Sequence, residues 1–180
     1  MTHKFQAIKT YGTDRGLSCC FRQWRATHSH CSTLHGYSIG IELTFESETL
    51  DEKNWSMDYG NLKSFKQWAD YMFDHTLIVA EDDPELEFFK AMYKRSQIEL
   101  AEGEKPEDFV PYKRGALCDL RIVPGVGCEM FAKLAYEKME SLLEEMKEGK
   151  HSRYPVNKDV RLVSVKVFEH GSNASTYRKD

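Results

Sequence analysis

The sequence predicts an α+β fold in which helices pack on one face of an antiparallel β-sheet. Apolar residues alternate with polar ones through Ile39, Ile41, Leu43 and Phe45, which is typical of a half-buried antiparallel strand. Two later segments repeat their apolar residues every three to four positions, as an amphipathic helix does. Strands are expected toward both ends of the chain and helices between them, an order that favours α+β over repeated βαβ units.

The N-terminal half contributes two strands and one helix to this prediction. A strand is expected over 17–27, and the alternating strand begins at Ser38. After a polar turn, apolar residues fall on one helical face from about Asn61 to Phe73. Either Asp58 or Asn61 can cap the start of this helix, since both side chains can accept a hydrogen bond from a backbone N–H group of the first turn.

The C-terminal half is predicted to add two helices and three strands. Asp83 and Pro84 mark the start of a short helix, as its N-cap and a first-turn residue. Residues 101–115 carry Gly, Pro and charge without any period, which predicts an exposed loop. The remaining expected elements are a short strand, a long helix and two final strands, over 120–123, 128–147, 160–169 and 175–178.

Length and composition indicate one domain over residues 1–180. With 41% hydrophobic and 30% charged residues, the chain is typical of a globular protein and not of a disordered one. The net charge is −4 and no basic block stands out, which argues against nucleic-acid binding. No apolar run approaches the roughly 20 residues of a membrane span, and the N-terminus lacks the apolar stretch of a signal peptide. We therefore expect a cytoplasmic protein with reduced cysteines.

A histidine-rich segment carries the densest chemical signal. His28, His30, Cys31 and His35 fall within eight residues, between two predicted strands. Residues two apart on an extended backbone point the same way, so these imidazoles can converge on one ion. Three protein ligands with an open fourth position are typical of catalytic zinc. The other interpretation is a polar turn with locally hydrogen-bonded histidines, but the ligand density favours a metal, with Cys31 as a ligand, a nucleophile or a base.

Two further polar features lie at the ends of predicted elements. Asp74 and His75 close the first helix, where the carboxylate could orient the imidazole for proton transfer. Alternatively, His75 is a cation favoured by the helix dipole. Glu169 ends the strand over 160–169, where its carboxylate could accept two parallel N–H bonds from a heterocycle or could simply be solvated. Taken alone, each feature favours the structural alternative.

Five motifs occur in one order along the chain, and together they are far more specific than any single one. They are Cys31-Ser-Thr-Leu-His35-Gly-Tyr37, Trp55-Ser-Met-Asp58-Tyr-Gly-Asn-Leu62-Lys63, Phe73-Asp74-His75-Thr-Leu77, Gly127-Cys-Glu129 and Val167-Phe-Glu169. This order resembles the 6-pyruvoyl-tetrahydropterin synthase / 6-carboxytetrahydropterin synthase family. The resemblance spans about Phe21 to Tyr177, with an insertion expected over 86–121, and it favours the functional alternative at both features above.

The resemblance implies a tunnelling fold, in which an antiparallel sheet carries two main helices on one face and oligomerises into a barrel, with a hexamer favoured. It implies a small-molecule substrate, 7,8-dihydroneopterin triphosphate. It further implies that Cys31 is the proton-shuttling base and that Asp74 and His75 activate it. Glu129 and Glu169 would bind the pterin ring.

The resemblance also implies a zinc ion that holds hydroxyl oxygens of the substrate side chain. In the family the catalytic Cys is followed by His-Gly-His, whereas the second of these histidines is Tyr37 here. We expect His28, His30 and His35 to be the ligands, because a neutral imidazole binds metal at pH 7 while a phenol must first lose a proton near a pKa of about 10. Which of His28 and His30 takes the family's first ligand position stays open.

The expected function is a zinc-dependent lyase that makes 6-carboxy-5,6,7,8-tetrahydropterin with release of acetaldehyde and triphosphate, on the route to queuosine and other 7-deazapurines. One alternative is 6-pyruvoyl-tetrahydropterin synthase, which eliminates triphosphate from the same substrate. Another is a non-catalytic oligomer that binds a pterin or a metal. An unrelated zinc hydrolase is disfavoured because the sequence holds no His-Glu-x-x-His motif.

Overall fold

The computed structural model describes residues 4–94 and 117–179, with the backbone alone for Lys94. In chain order the strands are β1 (Phe5–Tyr11), β2 (Ser18–Phe21), β3 (His35–Ser38), β4 (Gly40–Ser47), β5 (Thr76–Ala80), β6 (Leu120–Val123), β7 (Arg161–Phe168) and β8 (Ala174–Tyr177). The helices are α1 (Lys63–Phe73), α2 (Leu86–Lys94) and α3 (Cys128–Lys147), and short 3-10 turns cover Thr13–Arg15, His30–Ser32 and Tyr59–Leu62. No helix in the described ranges is long and apolar enough to cross a membrane.

The chain divides into two compact units. The first unit comprises Met1–Leu17, Ser38–Asp74 and Gly127–Asp180, and the second comprises Ser18–Tyr37 and His75–Val126. Each unit contains one four-stranded sheet.

The sheet of the first unit is antiparallel throughout, as the sequence predicts. Its strand order is β1-β4-β7-β8, and α3 packs on β7 and β8 while α1 packs on α3. The alternating residues Ile41, Leu43 and Phe45 of β4 are completely buried. They form the core together with the apolar stripe of α3, which includes Phe131 and Met139. The α+β class, with an antiparallel sheet and helices, is therefore confirmed.

The helix boundaries confirm most of the capping analysis. The long helix covers 128–147 as expected, and Gly149 follows it with a φ of +84°, a left-handed conformation that glycine adopts without steric cost. The sequence left open whether Asp58 or Asn61 is the cap. Asp58 caps the 3-10 turn that precedes α1, where its carboxylate accepts a hydrogen bond from the N–H of Gly60 (2.8 Å). Asp83 caps the turn into α2 by accepting from the N–H of Glu85 (2.8 Å).

The second sheet departs from the single antiparallel sheet that the sequence predicts. Its order is β3-β2-β5-β6, with β2 parallel to β5 and β5 parallel to β6. The sequence analysis missed β5 because all of its residues are buried, so it shows no alternation of apolar and polar positions. It also missed β1, and it extended the first predicted strand to residue 27, whereas β2 ends at Phe21. The expected loop over 101–115 lies outside the described residues.

A buried ion pair fixes the point where the chain leaves β2. The guanidinium of Arg22 donates to both carboxylate oxygens of Asp83, at 2.9 and 2.6 Å, and the Asp83 side chain is 1% exposed. Burial alone would raise the pKa of Asp83, but the hydrogen bonds from Arg22 and from the Glu85 N–H outweigh it and hold that pKa below the usual value. The loop that begins at Arg22 and leads to the histidine-rich segment is therefore anchored at its start.

A glycine on β4 allows an aromatic ring of β7 to lie directly against the backbone of β4. Gly40 is paired with Phe168, and a Cβ at residue 40 would lie 2.0 Å from the Phe168 ring. Only a residue without a side chain permits this contact. The ring therefore covers β4 at Gly40, and it belongs to the residue directly before Glu169.

The carboxylate of Glu46 should make the first unit sensitive to acid. Glu46 on β4 accepts hydrogen bonds from Arg161 on β7 and from Lys4 before β1, and these hold its pKa at about 2 against a usual value of 4.5. A lowered folded-state pKa stabilises the fold above pH ~4.5, and this contribution is lost as the pH falls toward ~2. We expect Glu46→Gln to lose stability at pH 6 but to lose less than the wild type between pH 5 and pH 3 in urea unfolding.

The matched control is Glu52→Gln, because Glu52 is 86% exposed and lies beside Lys53 in a turn. This variant should keep the acid dependence of the wild type. An unchanged acid dependence in Glu46→Gln would show that the Glu46 cluster does not couple protonation to folding.

Candidate functional site

Two hydrogen bonds close the loop of the second unit that carries Cys31. The N–H of Gln23 donates to the carbonyl oxygen of Cys31 at 2.8 Å, which ties the start of the loop to its end. The N–H of Cys31 donates to the hydroxyl of Ser29 at 3.2 Å, so Ser29 caps the 3-10 turn. The Cys31 residue is half-buried. The loop is closed by the backbone, and the thiol keeps access to solvent.

Two of the three predicted zinc ligands face one another. The ring centroids of His30 and His35 are 6.0 Å apart with 62° between the ring planes. The Nδ1 atom of His35 lies 2.8 Å from the carbonyl oxygen of Thr33. Because a carbonyl oxygen can only accept, Nδ1 is the donor in this contact, and in the neutral imidazole Nε2 then keeps its lone pair. Such a bond on the second ring nitrogen is typical of metal-binding histidines.

The donor set fits zinc at this pair but does not complete a site. Two imidazoles on one zinc ion have their centroids about 5 Å apart, close to the separation of His30 and His35. The third predicted ligand, His28, is exposed in the preceding turn. Within 4–94 and 117–179, no three His, Cys, Asp or Glu side chains are grouped so as to hold a metal. The structure thus places the rings of two predicted ligands 6.0 Å apart and forms no group of three ligands in the described part of the chain.

Tyr37 packs between two other rings of the same segment. Its ring is stacked on Phe21 with centroids 4.0 Å apart and 12° between the planes, and its distance to the His35 ring is 4.5 Å at 41°. Phe21 is completely buried. The sequence analysis weighed Tyr37 only as a metal ligand, and nothing in the spacing of residues 21 and 37 indicates that they would stack.

The predicted Asp74-His75 pair lies at the junction of α1 and β5. The backbone N–H of Asp74 ends the helix by donating to the carbonyl oxygen of Asp70 at 2.9 Å. His75 has a φ of +56°, a left-handed conformation that few non-glycine residues adopt. Its N–H donates to the carbonyl oxygen of Ser18 at 2.7 Å, which holds the turn against β2. Unusual backbone conformations of this kind often occur at functional positions.

The two glutamates expected to bind a pterin both lie in the first unit, and both act on the thiol of Cys128, a residue that the sequence analysis did not single out. Cys128 is the first residue of α3 and is 6% exposed. Burial, the charges of Glu169 and Glu129 and a hydrogen bond with Glu169 raise the pKa of Cys128 to about 12. The protonated thiol therefore donates to Glu169. Glu129 stands in the first turn of α3, where the helix dipole favours a carboxylate.

A comparison with models of known protein families identifies the family of this chain. The model of the family described as 6-pyruvoyl tetrahydropterin synthase matches residues 12–180. The chain belongs to this family. The resemblance drawn from the five ordered motifs is thereby confirmed.

Curated relatives carry a more specific name. A protein of Aquifex aeolicus (strain VF5), named 6-carboxy-5,6,7,8-tetrahydropterin synthase, is 27% identical over 153 residues, which are 83% of this chain and 76% of the relative. A protein of Rickettsia typhi with the same name is 37% identical over 57 residues, which are 31% of this chain. The match spans 41% of the length of that Rickettsia relative.

Solved structures share the fold along nearly the whole chain. An uncharacterized protein from Wolinella succinogenes superposes with a TM-score of 0.69 at 18% identity, covering 99% of both chains. The 6-pyruvoyl tetrahydropterin synthase of Plasmodium vivax superposes with a TM-score of 0.55 at 15% identity, again over 99% of both chains. At this identity, the likeness establishes the fold.

Proposed function

We propose that the protein is a carbon–carbon lyase that converts 7,8-dihydroneopterin triphosphate and water into 6-carboxy-5,6,7,8-tetrahydropterin, acetaldehyde and triphosphate. The observation that carries this proposal is the family match over residues 12–180, together with the name of the curated relatives. The atoms of this reaction balance without an external oxidant or reductant. The product would feed the formation of 7-deazapurines such as queuosine.

Pterin recognition is assigned to Glu169 and Glu129. A pterin presents an amide N–H and an exocyclic amine on one edge, and a carboxylate can accept both in a bidentate geometry. Glu169 is half-buried, and its carboxylate is oriented by the Cys128 thiol. Its backbone N–H donates to the carbonyl oxygen of Asn173 at 3.1 Å, which closes the turn after β7. A carboxylate whose orientation is already fixed loses little conformational entropy when it binds a ligand.

Proton transfer is assigned to Cys31, with Asp74 and His75 in supporting roles. The chemistry requires a base that removes a proton from carbon in the substrate side chain, and a thiolate can act as such a base. The loop hydrogen bonds described above fix the backbone of Cys31 on both sides of the 3-10 turn. An imidazole at residue 75 could relay a proton, and the neighbouring carboxylate of Asp74 could select its tautomer.

We assign zinc binding to His28, His30 and His35. When bound, zinc would act as a Lewis acid on the hydroxyl oxygens of the substrate side chain. The facing rings of His30 and His35 and the bare Nε2 of His35 support this assignment. Binding would recruit His28 from the exposed turn that precedes His30.

A second candidate function is a non-catalytic pterin-binding protein. Two observations favour it. The described residues do not assemble three metal ligands, and Tyr37 is stacked on Phe21 at a position where the family carries a histidine. The pyruvoyl-forming activity is a third candidate, and it would use the same substrate and the same base. The relatives' name favours the carboxy product over the pyruvoyl product.

Product analysis after incubation with 7,8-dihydroneopterin triphosphate and Zn²⁺ tests the proposal. We expect 6-carboxytetrahydropterin and acetaldehyde from the wild type, and a loss of kcat of roughly 100- to 10,000-fold in Cys31→Ala, as for removal of a general base. Cys20→Ala is the matched control, because Cys20 is a half-buried thiol of β2 with no assigned role. A pyruvoyl product, or no turnover with zinc supplied, would favour one of the other two candidates.

Substitution of Glu169 separates pterin binding from proton transfer. Glu169→Gln keeps the shape but removes the charge and one acceptor, so we expect pterin affinity to fall by about 10- to 100-fold, in line with about 1.5–3 kcal/mol for a hydrogen bond to a charged group. Fluorescence titration with neopterin measures this without turnover. Glu52→Gln should bind as the wild type does, and equal affinity of Glu169→Gln and wild type would remove Glu169 from the pterin site.

We also propose that the protein is a homo-oligomer, with a hexamer favoured. In the described part of the chain, β1 and β8 are the edges of the first sheet, each with a strand on one side only. Such edges can pair with another copy, and β1 exposes the apolar side chains Phe5 and Ile8. None of the five cysteines, all of which lie in the described ranges, forms a disulfide, which suits the reducing cytoplasm that we assign to the protein.

Sedimentation measurements test the assembly. The wild type should sediment with six times the 20.9 kDa mass of the chain. Ile8→Glu should shift it toward smaller species, because a charge on the exposed edge opposes strand pairing. Phe88→Glu on α2, also an exposed apolar residue, should leave the mass unchanged. A monomeric wild type would contradict the proposal.

A further inference from the structure

We propose that His170 is a positioning residue for Glu169, acting through the Nδ1 atom of its imidazole ring. The inference rests on the assignment of Glu169 to pterin recognition and adds one residue to that site. It concerns the turn of the first unit that joins β7 to β8, in which Glu169 and His170 are consecutive residues.

The backbone of Glu169 is held by the turn in which it lies. The strands β7 and β8 end and begin at Phe168 and Ala174, which are paired with one another. The N–H of Glu169 then donates to the carbonyl oxygen of Asn173 at 3.1 Å, which extends the pairing by one residue. Three residues, 170–172, are left to reverse the chain. Glu169 therefore keeps its register only if these three residues hold one conformation.

The imidazole of His170 closes this three-residue segment. The backbone N–H of Ser172 donates to Nδ1 of His170 at 3.2 Å. Because an N–H group can only donate, Nδ1 must be the unprotonated nitrogen of the ring, and a neutral imidazole then carries its proton on Nε2. Asn and Asp side chains stabilise turns in the same way, by accepting from the backbone two residues further on. His170 takes that part here.

Hydrogen bonds, and not burial, keep the turn in shape. His170, Gly171 and Ser172 are all exposed, and a Cβ at Gly171 would meet no atom within 4 Å. On its other side Glu169 follows Phe168, whose ring lies against Gly40. Glu169 is thus fixed by packing before it and by the two turn hydrogen bonds after it.

The two nitrogens of the His170 ring can be separated by substitution. An Asn side chain places its oxygen near the position of Nδ1, where it can accept from the Ser172 N–H. A Gln side chain places its terminal atoms near the position of Nε2 instead. A positioning role of Nδ1 therefore predicts that Asn replaces His170 and that Gln does not.

Three variants of the full chain, His170→Asn, His170→Gln and His170→Ala, test the inference. Fluorescence titration with neopterin measures affinity, and NMR measures hydrogen exchange of the Glu169 and Ser172 amides without ligand. We expect His170→Asn to match the wild type within about twofold in affinity and in both exchange rates. His170→Gln and His170→Ala should bind about three- to tenfold more weakly, as for the loss of one hydrogen bond, and both amides should exchange faster.

Gly171→Ala is the matched control in the same turn. Its added Cβ has open space, and Gly171 does not have the left-handed backbone conformation that only glycine adopts easily. We expect this variant to stay within about twofold of the wild type in affinity and in both exchange rates.

The contrary outcomes differ from one another. If His170→Gln and His170→Ala keep the wild-type affinity and exchange rates, Nδ1 does not position Glu169. If His170→Asn binds as weakly as His170→Ala while its Ser172 amide stays protected, the ring contacts the ligand directly and the inference is wrong. If the wild type does not bind neopterin, the pterin assignment of Glu169 fails, and exchange of the Glu169 amide in the three variants still decides whether His170 holds that residue in place.

Discussion

The stack between Phe21 and Tyr37 supports the loop that carries the histidine-rich segment. It joins the end of β2 to β3, so the histidine-rich loop leaves the sheet and returns to it at two residues that touch. The hydrogen bond from Gln23 to Cys31 closes the same loop a few residues further in. Because these contacts are made by buried or backbone groups, the solvent-accessible side chains His30, Cys31 and His35 extend from a fixed frame.

A different physical principle governs the glutamates. A protonated thiol stabilises a carboxylate by donating a hydrogen bond to it. Cys128 donates to Glu169 from the N-terminus of α3, where the helix dipole also favours the carboxylate of Glu129. Burial, and then the charges of Glu169 and Glu129, raise the pKa of the Cys128 thiol, which keeps it a donor and unsuited to act as a nucleophile.

The sequence could predict those features that depend on neighbouring residues along the chain. The apolar stripe of α3 and the alternation along β7 predict these elements to within a residue or two, because a helix face or a strand face is a local pattern. The order of the motifs was enough to identify the family. It also selected Glu129 and Glu169 as the two glutamates expected to bind a pterin. Neither inference needs a tertiary contact.

Features that depend on residues distant in the sequence could not be predicted in this way. The strand β5 is buried on both faces and has no period, and its parallel pairing with β2 is visible only in the fold. The spacing of His28, His30 and His35 suggested three converging rings, but the turn before His30 leaves His28 in solvent. The stacking of Phe21 on Tyr37 could not be predicted for the same reason. Nothing in the sequence around Phe21 indicates which ring will pack on it.

The ring of Phe168 lies across Gly40 and directly precedes the carboxylate assigned to ligand recognition. One extra methyl group on β4 would displace that ring, and the displacement would pass along the backbone to the next residue of the chain. The position of Glu169 thus depends on the missing side chain of a residue on another strand.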